Sequence, residues 1–234
     1  MEKQSPDKTR KTVCITGAGK GIGFQLVQAF LADPQYQVIA TSRNVHELEK
    51  IRHPHLVVIQ GDLLADYTSI QTKILAATSS VDILINNAAL VLNKPMLEVV
   101  EEDIQAVMGT NFSAPYRLIR DLEPRFGKGT HIINISSMSG FQGSKKFTGL
   151  TLYSASKAAL ASLSECVAEE WREKEIYCNC LALGAVDTDM IKVSIPGLKP
   201  VVTAKEMAAY IYDFALKGHR YYNGQVLPVS LSTL

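Results

Sequence analysis

The sequence lacks a charge excess, a long apolar run and a leader-like start, and each absence excludes a class of protein. Its 234 residues carry 24 lysines and arginines against 23 acidic residues, and a net charge of +1 gives little attraction for nucleic acid. A disordered chain would combine low hydrophobicity with high net charge, whereas 47% of these residues are hydrophobic. No run reaches the roughly 18 apolar residues of a membrane span, and residues 1–11 are too polar for a signal peptide. We expect a soluble, cytoplasmic protein without nucleic-acid or membrane partners.

Cysteine is also scarce, which bears on metals and disulfides. The four cysteines, Cys14, Cys166, Cys178 and Cys180, lie in apolar segments. The last two would share one face of a strand, but no histidine or second cysteine pair stands near them at metal-ligand spacing. Buried free cysteine usually behaves as a small hydrophobic residue. We therefore expect reduced thiols, no disulfide and no metal site.

Seven short apolar runs alternate with longer helical patterns. The runs are Thr12–Thr16, Gln37–Ser42, Leu56–Gln60, Val81–Asn86, His131–Ser136, Ile176–Leu181 and Gln225–Val229. Continuous Val/Ile/Leu runs are typical of strands covered on both faces, and helical spacers between them indicate βαβ units with right-handed crossovers. The pattern predicts one α/β, doubly wound Rossmann-type domain over residues 12–234, with a seven-stranded, mostly parallel sheet and helices on both faces. Residues 1–11 would form a polar tail.

A glycine-rich turn follows the first strand and opens the first helix. It reads Thr16-Gly17-Ala18-Gly19-Lys20-Gly21-Ile22-Gly23. Backbone amides at a helix N-terminus attract anions, and glycine lets a pyrophosphate approach the backbone. The G-x-x-x-G-x-G spacing differs from the common G-x-G-x-x-G, and such a cluster can be purely structural. Its place at the first βα turn favours nucleotide binding.

The end of the second strand indicates which nucleotide would bind. A fold that holds an unphosphorylated ribose usually has an acidic residue there, whereas this segment has Arg43 and no acid before Glu47. Arg43 and Lys20 stand where they could converge on a 2′-phosphate, although both could equally be solvated surface charges. NADP(H) is therefore predicted over NAD(H). Asp62 and Asn87 end the third and fourth strands, where they would face the cofactor or serve as ordinary turn residues.

Tyr153 and Lys157 are four residues apart in a helical segment and therefore share a helix face. A nearby ammonium lowers the pKa of a phenol, so the pair could exchange a proton with an alcohol oxygen while hydride moves to or from a nicotinamide. Alone, such a pair would be a common surface feature. Ser136 or Ser137, at the end of the fifth strand, could orient a substrate oxygen. Asn111 could hold a proton-relaying water or be an ordinary helical residue.

Taken together, these motifs resemble the short-chain dehydrogenase/reductases from Thr16 to Val229. The matching motifs are Thr16-Gly17-x-x-x-Gly21-x-Gly23, Asn86-Asn87-Ala88-Ala89, Asn111, Ser137 and Tyr153-x-x-x-Lys157. The resemblance implies that Tyr153 is the general acid/base, that Lys157 lowers its pKa and holds the nicotinamide ribose, and that Asn111 relays protons. It selects Ser137 over Ser136 as the substrate-orienting serine. Thr188 stands where the family's threonine contacts the nicotinamide amide.

The predicted site consists of four catalytic and thirteen cofactor-binding assignments. The catalytic set is Asn111, Ser137, Tyr153 and Lys157. The cofactor set is Gly17, Gly19, Lys20, Gly21, Ile22, Gly23, Arg43, Asp62, Leu63, Asn87, Tyr153, Lys157 and Thr188. The expected activity is NADP(H)-dependent interconversion of a carbonyl and an alcohol of a small molecule. The alternative is a noncatalytic dinucleotide-binding sensor or scaffold, against which the intact catalytic set argues.

The substrate is less constrained than the cofactor. Phe141, Leu150, Leu152, Met190 and Val193 are predicted to line an apolar pocket, under a short lid at residues 189–202. Lys145 and Lys146 could meet an acidic substrate or carrier, as in 3-oxoacyl-carrier-protein reductases, or could simply be solvated. A pterin reductase-like substrate is a further alternative. The family resemblance also implies a homodimer or homotetramer, formed through the helix over residues 98–126 and the helix that carries Tyr153.

Overall fold

The computed structural model describes residues 10–195 and 197–231. Most of the predicted tail therefore lies outside the described residues, and Lys11 already begins a strand. The strands are β1 (Lys11–Thr16), β2 (Tyr36–Ser42), β3 (Leu56–Gln60), β4 (Ile83–Asn86), β5 (His131–Ser137), β6 (Tyr177–Leu183), β7 (Val186–Asp187), β8 (Val202–Thr203) and β9 (Val226–Val229). The helices are α1 (Gly21–Leu31), α2 (His46–Glu49), α3 (Tyr67–Ala77), α4 (Glu101–Met108), α5 (Ala114–Leu122), α6 (Thr151–Glu170), α7 (Asp189–Ser194) and α8 (Ala204–Lys217).

In the described part of the chain, seven strands form one sheet in the order β3-β2-β1-β4-β5-β6-β9. Every neighbouring pair is parallel, so the predicted sheet is confirmed and is parallel throughout. The strand order reverses between β1 and β4, which opens a crevice at their carboxyl ends. The short parallel pair β7–β8 was not predicted, because two residues per strand leave no periodic signal.

Helices cover both faces of the sheet, as the continuous apolar strands predict. On one face, α1 and α8 pack over residues such as Val13 and Ile15. On the other face, α3, α5 and α6 pack over Cys14 and Ile132. Successive strand residues point to opposite faces, so both faces of each central strand need apolar side chains. No helix in the described ranges is long and apolar enough to cross a membrane.

The helix predicted over residues 98–126 changes its winding at Asn111. A π-helical segment, Gly109–Ser113, separates α4 from α5, and short 3-10 turns lie at Met96–Glu98 and Glu123–Arg125. Pro115 lies in the first turn of α5. Proline has no amide hydrogen, so it cannot donate the usual i+4 bond to the carbonyl of Asn111. The wider π-helical turn therefore contains Asn111, which the sequence motifs predict to be functional.

A buried histidine, His131, begins β5 far from the carboxyl ends of the strands. Its Nδ1 donates to the Ala215 carbonyl at 3.1 Å, and its Nε2 accepts from the Asn179 amide at 3.1 Å. Both bonds fit a neutral imidazole. Burial lowers the pKa of His131 from 6.5 to about 4, the bond to Ala215 opposes this change, and the nearby His219 adds to it.

We expect the protein to lose stability in mild acid because of His131. The unfolded chain binds a proton on this side chain near pH 6.5, whereas the native chain resists until about pH 4. Stability is therefore fully present above pH 6.5 and falls as the pH falls towards 4, by about 2 kcal/mol between roughly pH 7.5 and 5. Urea denaturation at both pH values measures the loss. His131→Gln should remove most of it, whereas His46→Gln, at an exposed position, should retain it. Equal losses in the two variants would contradict the prediction.

Candidate active site

The carboxyl ends of β1, β4, β5 and β6 open into one cavity of about 760 Å³. Twelve of the predicted site residues line it, namely Gly17, Lys20, Gly21, Ile22, Arg43, Asp62, Leu63, Asn87, Ser137, Tyr153, Lys157 and Thr188. The other three, Gly19, Gly23 and Asn111, do not line the cavity. The structure thus brings residues from most of the length of the chain to one edge of the sheet.

The glycine-rich turn is braced against the end of β4. The Asn87 side-chain amide donates to the carbonyls of Thr16 and Gly17 at 3.0 and 3.1 Å. In return, the Thr16 hydroxyl accepts from the amides of Asn87 and Ala88 at 3.1 and 3.0 Å. Gly17 has a φ of 65°, and a Cβ there would lie 2.7 Å from the Ala88 Cα. Asn87 therefore supports the turn.

The two glycines that do not line the cavity allow close packing behind it. A Cβ at Gly23 would lie 2.5 Å from the side-chain nitrogen of Asn87. A Cβ at Gly19 would collide with the Asn44 carbonyl oxygen and the Ser42 side chain, where β2 ends. Both positions need glycine because neighbouring elements approach the backbone closely. Gly19 and Gly23 therefore determine the shape of the turn without lining the cavity.

The two cations predicted to converge on a phosphate are each paired with a carboxylate. The Lys20 Nζ lies 3.0 Å from Asp189 Oδ2, at the start of α7. The Arg43 Nη1 lies 3.7 Å from Asp62 Oδ2. Asp62 also accepts a bond from the Leu64 amide within its own turn. Both cations line the cavity, but in this structure they point to different partners.

The catalytic candidates of β5 and α6 meet at the carboxyl end of β5. The Ser137 hydroxyl lies close enough to the Tyr153 phenol to lower its pKa. The Lys157 ammonium donates to the Ile135 carbonyl at 2.7 Å and lies 5.9 Å from the centre of the Tyr153 ring. Both Tyr153 and Lys157 are buried, with 7% and 2% of their surface exposed.

Burial dominates the proton affinity of this cluster. It raises the pKa of Tyr153 to about 12, and the neighbouring Ser137 hydroxyl opposes the rise. It lowers the pKa of Lys157 to about 8, with Cys180 opposing. The expected lowering of the phenol pKa by Lys157 is not found in this structure, where burial and Ser137 are the causes of the shift. The phenol is protonated at neutral pH.

The structure separates the two serines that spacing alone left open. The Ser136 hydroxyl donates to the Lys157 backbone carbonyl at 2.8 Å and is buried against α6. The Ser137 hydroxyl accepts from the Ser139 amide at 3.1 Å and contacts Tyr153. Ser136 therefore ties β5 to α6, and Ser137 has the hydroxyl that meets the phenol.

Asn111 is buried beside the site, with its side-chain amide fully engaged. Its Oδ1 accepts from the Leu90 amide at 2.7 Å, and its Nδ2 donates to the Leu90 carbonyl and to Ser156 Oγ, both at 2.9 Å. The Ser156 hydroxyl in turn donates to the Tyr153 carbonyl at 2.7 Å. Asn111 thus clamps the loop after β4 to α6. Sequence reasoning missed Ser156, although its place between Tyr153 and Lys157 was a signal.

A second set of polar side chains, also missed, lies between the sheet and α6. The Asn86 Nδ2 donates to Asn134 Oδ1 at 2.8 Å, and the Asn134 Nδ2 donates to Ser164 Oγ at 2.8 Å. All three residues are buried, and Ser164 bonds back to the Leu160 carbonyl. Polar residues inside apolar strands were the available signal. The chain of bonds joins β4, β5 and α6.

The predicted substrate pocket is only partly as expected. Leu150 and Met190 line the cavity, whereas Phe141 and Leu152 do not, and Phe147 lines it instead. The side chain of Val193 lies outside what the structure describes. The Lys146 ammonium is bound to the Ser139 and Phe141 carbonyls and to the Ser144 hydroxyl, at 2.7–2.9 Å. Lys145 lines the cavity, with its Nζ 5.8 Å from the centre of the Phe147 ring.

The known proteins to which this chain is similar agree with the family resemblance of its sequence motifs. A family model described as short chain dehydrogenase matches residues 11–197. The 3-oxoacyl-acyl-carrier-protein reductase FabG of Chlamydia muridarum is 30% identical, over 94% of this chain and 95% of that protein. The structure of a blue fluorescent protein from a metagenomic library, in complex with NADPH, is 28% identical with a TM-score of 0.82, over 94% of this chain and 96% of that one.

A second solved structure, of 4-hydroxyisoleucine dehydrogenase complexed with NADH, is 25% identical with a TM-score of 0.80. It covers 94% of this chain and 97% of that one. The family model spans well over half of the chain, and the parallel sheet and glycine-rich turn agree with it. The chain belongs to the short-chain dehydrogenase/reductase family, whose members are oxidoreductases.

Proposed function

We propose that the protein is an NADP(H)-dependent oxidoreductase that interconverts a carbonyl and an alcohol of a small molecule, with Tyr153 as general acid and base. The observation that carries the proposal is that the hydroxyls of Ser137 and Tyr153 are neighbours, beside the buried Lys157, in the cavity that the glycine-rich turn also lines. Two hydroxyls that meet at one point can bind a single substrate oxygen. A noncatalytic nucleotide sensor has no need of that convergence.

The residues of the cavity fit a nicotinamide dinucleotide. No side chain caps the N-terminus of α1, and Gly17 and Gly21 line the cavity next to it, which suits a pyrophosphate at a helix N-terminus. We assign the nicotinamide end to Thr188, Tyr153 and Lys157, and the adenine end to Arg43, Asp62 and Leu63. When bound, the dinucleotide supplies or accepts a hydride. The protein's own part is to bind the substrate oxygen and to move its proton.

In the direction of reduction, the Tyr153 phenol donates its proton to the carbonyl oxygen. Its raised pKa keeps the proton in place at neutral pH until that oxygen becomes basic. The Ser137 hydroxyl holds the same oxygen in position. In the direction of oxidation, the phenol must first lose its proton, and the positive charge of Lys157 favours the phenolate. The Ile135 carbonyl fixes that charge beside the ring.

We assign the relay role of Asn111 to its backbone carbonyl rather than its side chain. The side-chain amide is occupied by Leu90 and Ser156. The carbonyl lacks its usual i+4 donor, because residue i+4 is Pro115. That carbonyl is therefore the group of Asn111 to which a relay water would bind.

We predict a preference for NADPH that depends on Arg43. No acid follows β2 before Glu47, and the NADPH-bound relative supports the assignment, whereas the NADH-bound relative makes the measurement necessary. Arg43→Gln should lower kcat/KM for NADPH by about 10- to 100-fold and leave kcat/KM for NADH nearly unchanged, since a charge-assisted bond to phosphate is lost. Lys50→Gln, which removes an exposed cation paired with Glu47, is the matched control. An NADH preference in the wild type would overturn the assignment.

The substrate that we propose is a moderately apolar carbonyl compound. The apolar wall of the cavity consists of Leu150, Phe147 and Met190. The Lys146 ammonium is hydrogen-bonded within its own loop, to the Ser139 carbonyl among others. The relationship to FabG of Chlamydia muridarum makes 3-oxoacyl thioesters the first class to assay, and Lys145, rather than Lys146, is the loop lysine that lines the cavity. A panel of 3-oxoacyl thioesters, simple ketones, aldehydes and pterins, followed by NADPH oxidation, tests the proposal. Dinucleotide binding without turnover of any member would favour the sensor alternative.

We also propose a homodimer or homotetramer. Met96, Leu97, Val100 and Ile104, at and before α4, together with Tyr116 of α5, are large exposed apolar side chains. On α6, by contrast, Leu160, Leu163 and Val167 are buried against the protein's own sheet and neighbouring helices. The apolar surface of α4 and α5 is therefore the part of the predicted interface that needs a partner. Light scattering coupled to size exclusion measures the state directly.

A further inference from the structure

Lys20 joins the glycine-rich turn to α7, which is 169 residues away in sequence. Its ammonium lies 3.0 Å from Asp189 Oδ2, and both residues line the cavity. The hydrogen bond from Lys20, its charge and that of Lys192 hold the pKa of the Asp189 carboxyl below its usual range. The Lys192 ammonium is farther away, 4.0 Å from Asp189 Oδ1. Asp189 is therefore ionised, and Lys20 is its nearer partner.

Lys20 and Arg43 therefore have separate carboxylate partners, Asp189 and Asp62, in this structure. A phosphate that binds both Lys20 and Arg43 must either break the ion pair between Lys20 and Asp189 or share the Lys20 ammonium with the Asp189 carboxylate. The phosphate and the carboxylate are both negatively charged. A dinucleotide without that phosphate makes no such demand on Lys20. The ion pair thus affects the binding of dinucleotides that have a 2′-phosphate and does not affect the binding of those that lack it.

We propose that Asp189 is a specificity-determining residue that competes with the 2′-phosphate of the dinucleotide for Lys20. The inference rests on the proposed function, because it requires that a dinucleotide binds in this cavity. In the wild type, Asp189 weakens the binding of NADPH and leaves the binding of NADH unaffected. Lys20 therefore contributes less to the preference for NADPH over NADH than it would without Asp189.

Asp189 is a better candidate for this role than Asp62, the partner of Arg43. The Arg43–Asp62 distance is longer, at 3.7 Å, and Asp62 also holds its own turn through the Leu64 amide. Replacing Asp62 would change the backbone as well as the charge. Asp189 is 66% exposed, so its substitution by asparagine keeps the shape and removes the charge without disturbing a core.

The test is calorimetric titration of NADPH and of NADH into wild type, Asp189→Asn, Lys20→Gln and the double variant. We expect Asp189→Asn to tighten NADPH by about two- to fivefold, the range of an exposed ion pair, and to leave the Kd for NADH unchanged. Lys20→Gln should weaken NADPH. In the Lys20→Gln background, Asp189→Asn should no longer tighten NADPH, because the competition has gone.

Asp187→Asn is the matched control, since Asp187 also lines the cavity but forms no ion pair with a cation in the described ranges. Equal tightening by Asp187→Asn and Asp189→Asn would mean a general effect of charge and would overturn the inference. So would a loss of affinity for both dinucleotides in Asp189→Asn, which would identify the pair as a clamp over the cavity. A wild type that binds neither dinucleotide refutes the proposed function itself. A wild type that binds both, with an unchanged ratio in Asp189→Asn, refutes only the role of Asp189.

Discussion

Replacing Tyr153 with phenylalanine is expected to lower kcat for carbonyl reduction by about a thousandfold while the Kd for NADPH stays within a factor of about two. The substitution removes one hydroxyl and keeps the ring that packs beside Lys157. Without the phenol, the substrate oxygen has no proton donor of matched position, and Ser137 alone can only hydrogen-bond it. The rate of NADPH oxidation with an active carbonyl substrate measures the loss.

Two controls separate this chemistry from structural damage. Tyr221→Phe removes a phenol hydroxyl from a side chain that is 78% exposed, and it should leave kcat unchanged. Ser137→Ala keeps the phenol and removes the neighbouring hydroxyl, so it should lower kcat less than Tyr153→Phe does. Because Ser137 and Tyr153 bind one substrate oxygen together, their effects should be less than additive in the double variant. Equal rates for wild type and Tyr153→Phe would refute the assignment of the acid.

The sheet was predictable because its signal is local and repeated. The structure places a strand at each of the seven apolar runs. The five central strands are largely buried, whereas the edge strands β3 and β9 are only partly buried. Five of the strands end at the predicted residue, whereas β5 and β6 end one and two residues later than predicted. Asp62, Asn87 and Ser137, which lie at or just after the ends of three strands, reach one cavity. Parallel strands bring their carboxyl ends to the same edge, and the sequence needs only to mark where each strand stops.

What could not be predicted depends on contacts between distant segments. Nothing near Lys20 indicates that its partner is Asp189, at the opposite end of the chain. The π-helical turn at Asn111 reflects the combination of Pro115 with the clamp on Leu90, and helical periodicity does not register an added residue in one turn. The sequence also led to the expectation that Lys157 lowers the pKa of Tyr153, whereas burial raises it. Spacing shows that a lysine is near the phenol, but it does not show that the phenol is buried.

Gly17→Ala is expected to have the second large effect, on dinucleotide binding rather than on proton transfer. The added Cβ would lie 2.7 Å from the Cα and 2.9 Å from the backbone nitrogen of Ala88, and neither atom can yield as a flexible side chain would. Either the turn or the end of β4 must move, and the bonds from Asn87 to Thr16 and Gly17 join the two. A displacement of that order should weaken NADPH by about a hundredfold.

Gly129→Ala separates this collision from backbone strain. Gly129 also has a positive φ, of 89°, but a Cβ added there would meet no atom within 4 Å beyond its immediate chain neighbours. It should therefore lose only the cost of a left-handed alanine, about 1–2 kcal/mol of unfolding free energy, and keep full affinity for NADPH. Gly17→Ala should lose a further 1–3 kcal/mol or so from overpacking. If both variants bind NADPH as the wild type does, the close approach of Gly17 to Ala88 has no part in forming the cofactor site, and the pyrophosphate must be held elsewhere.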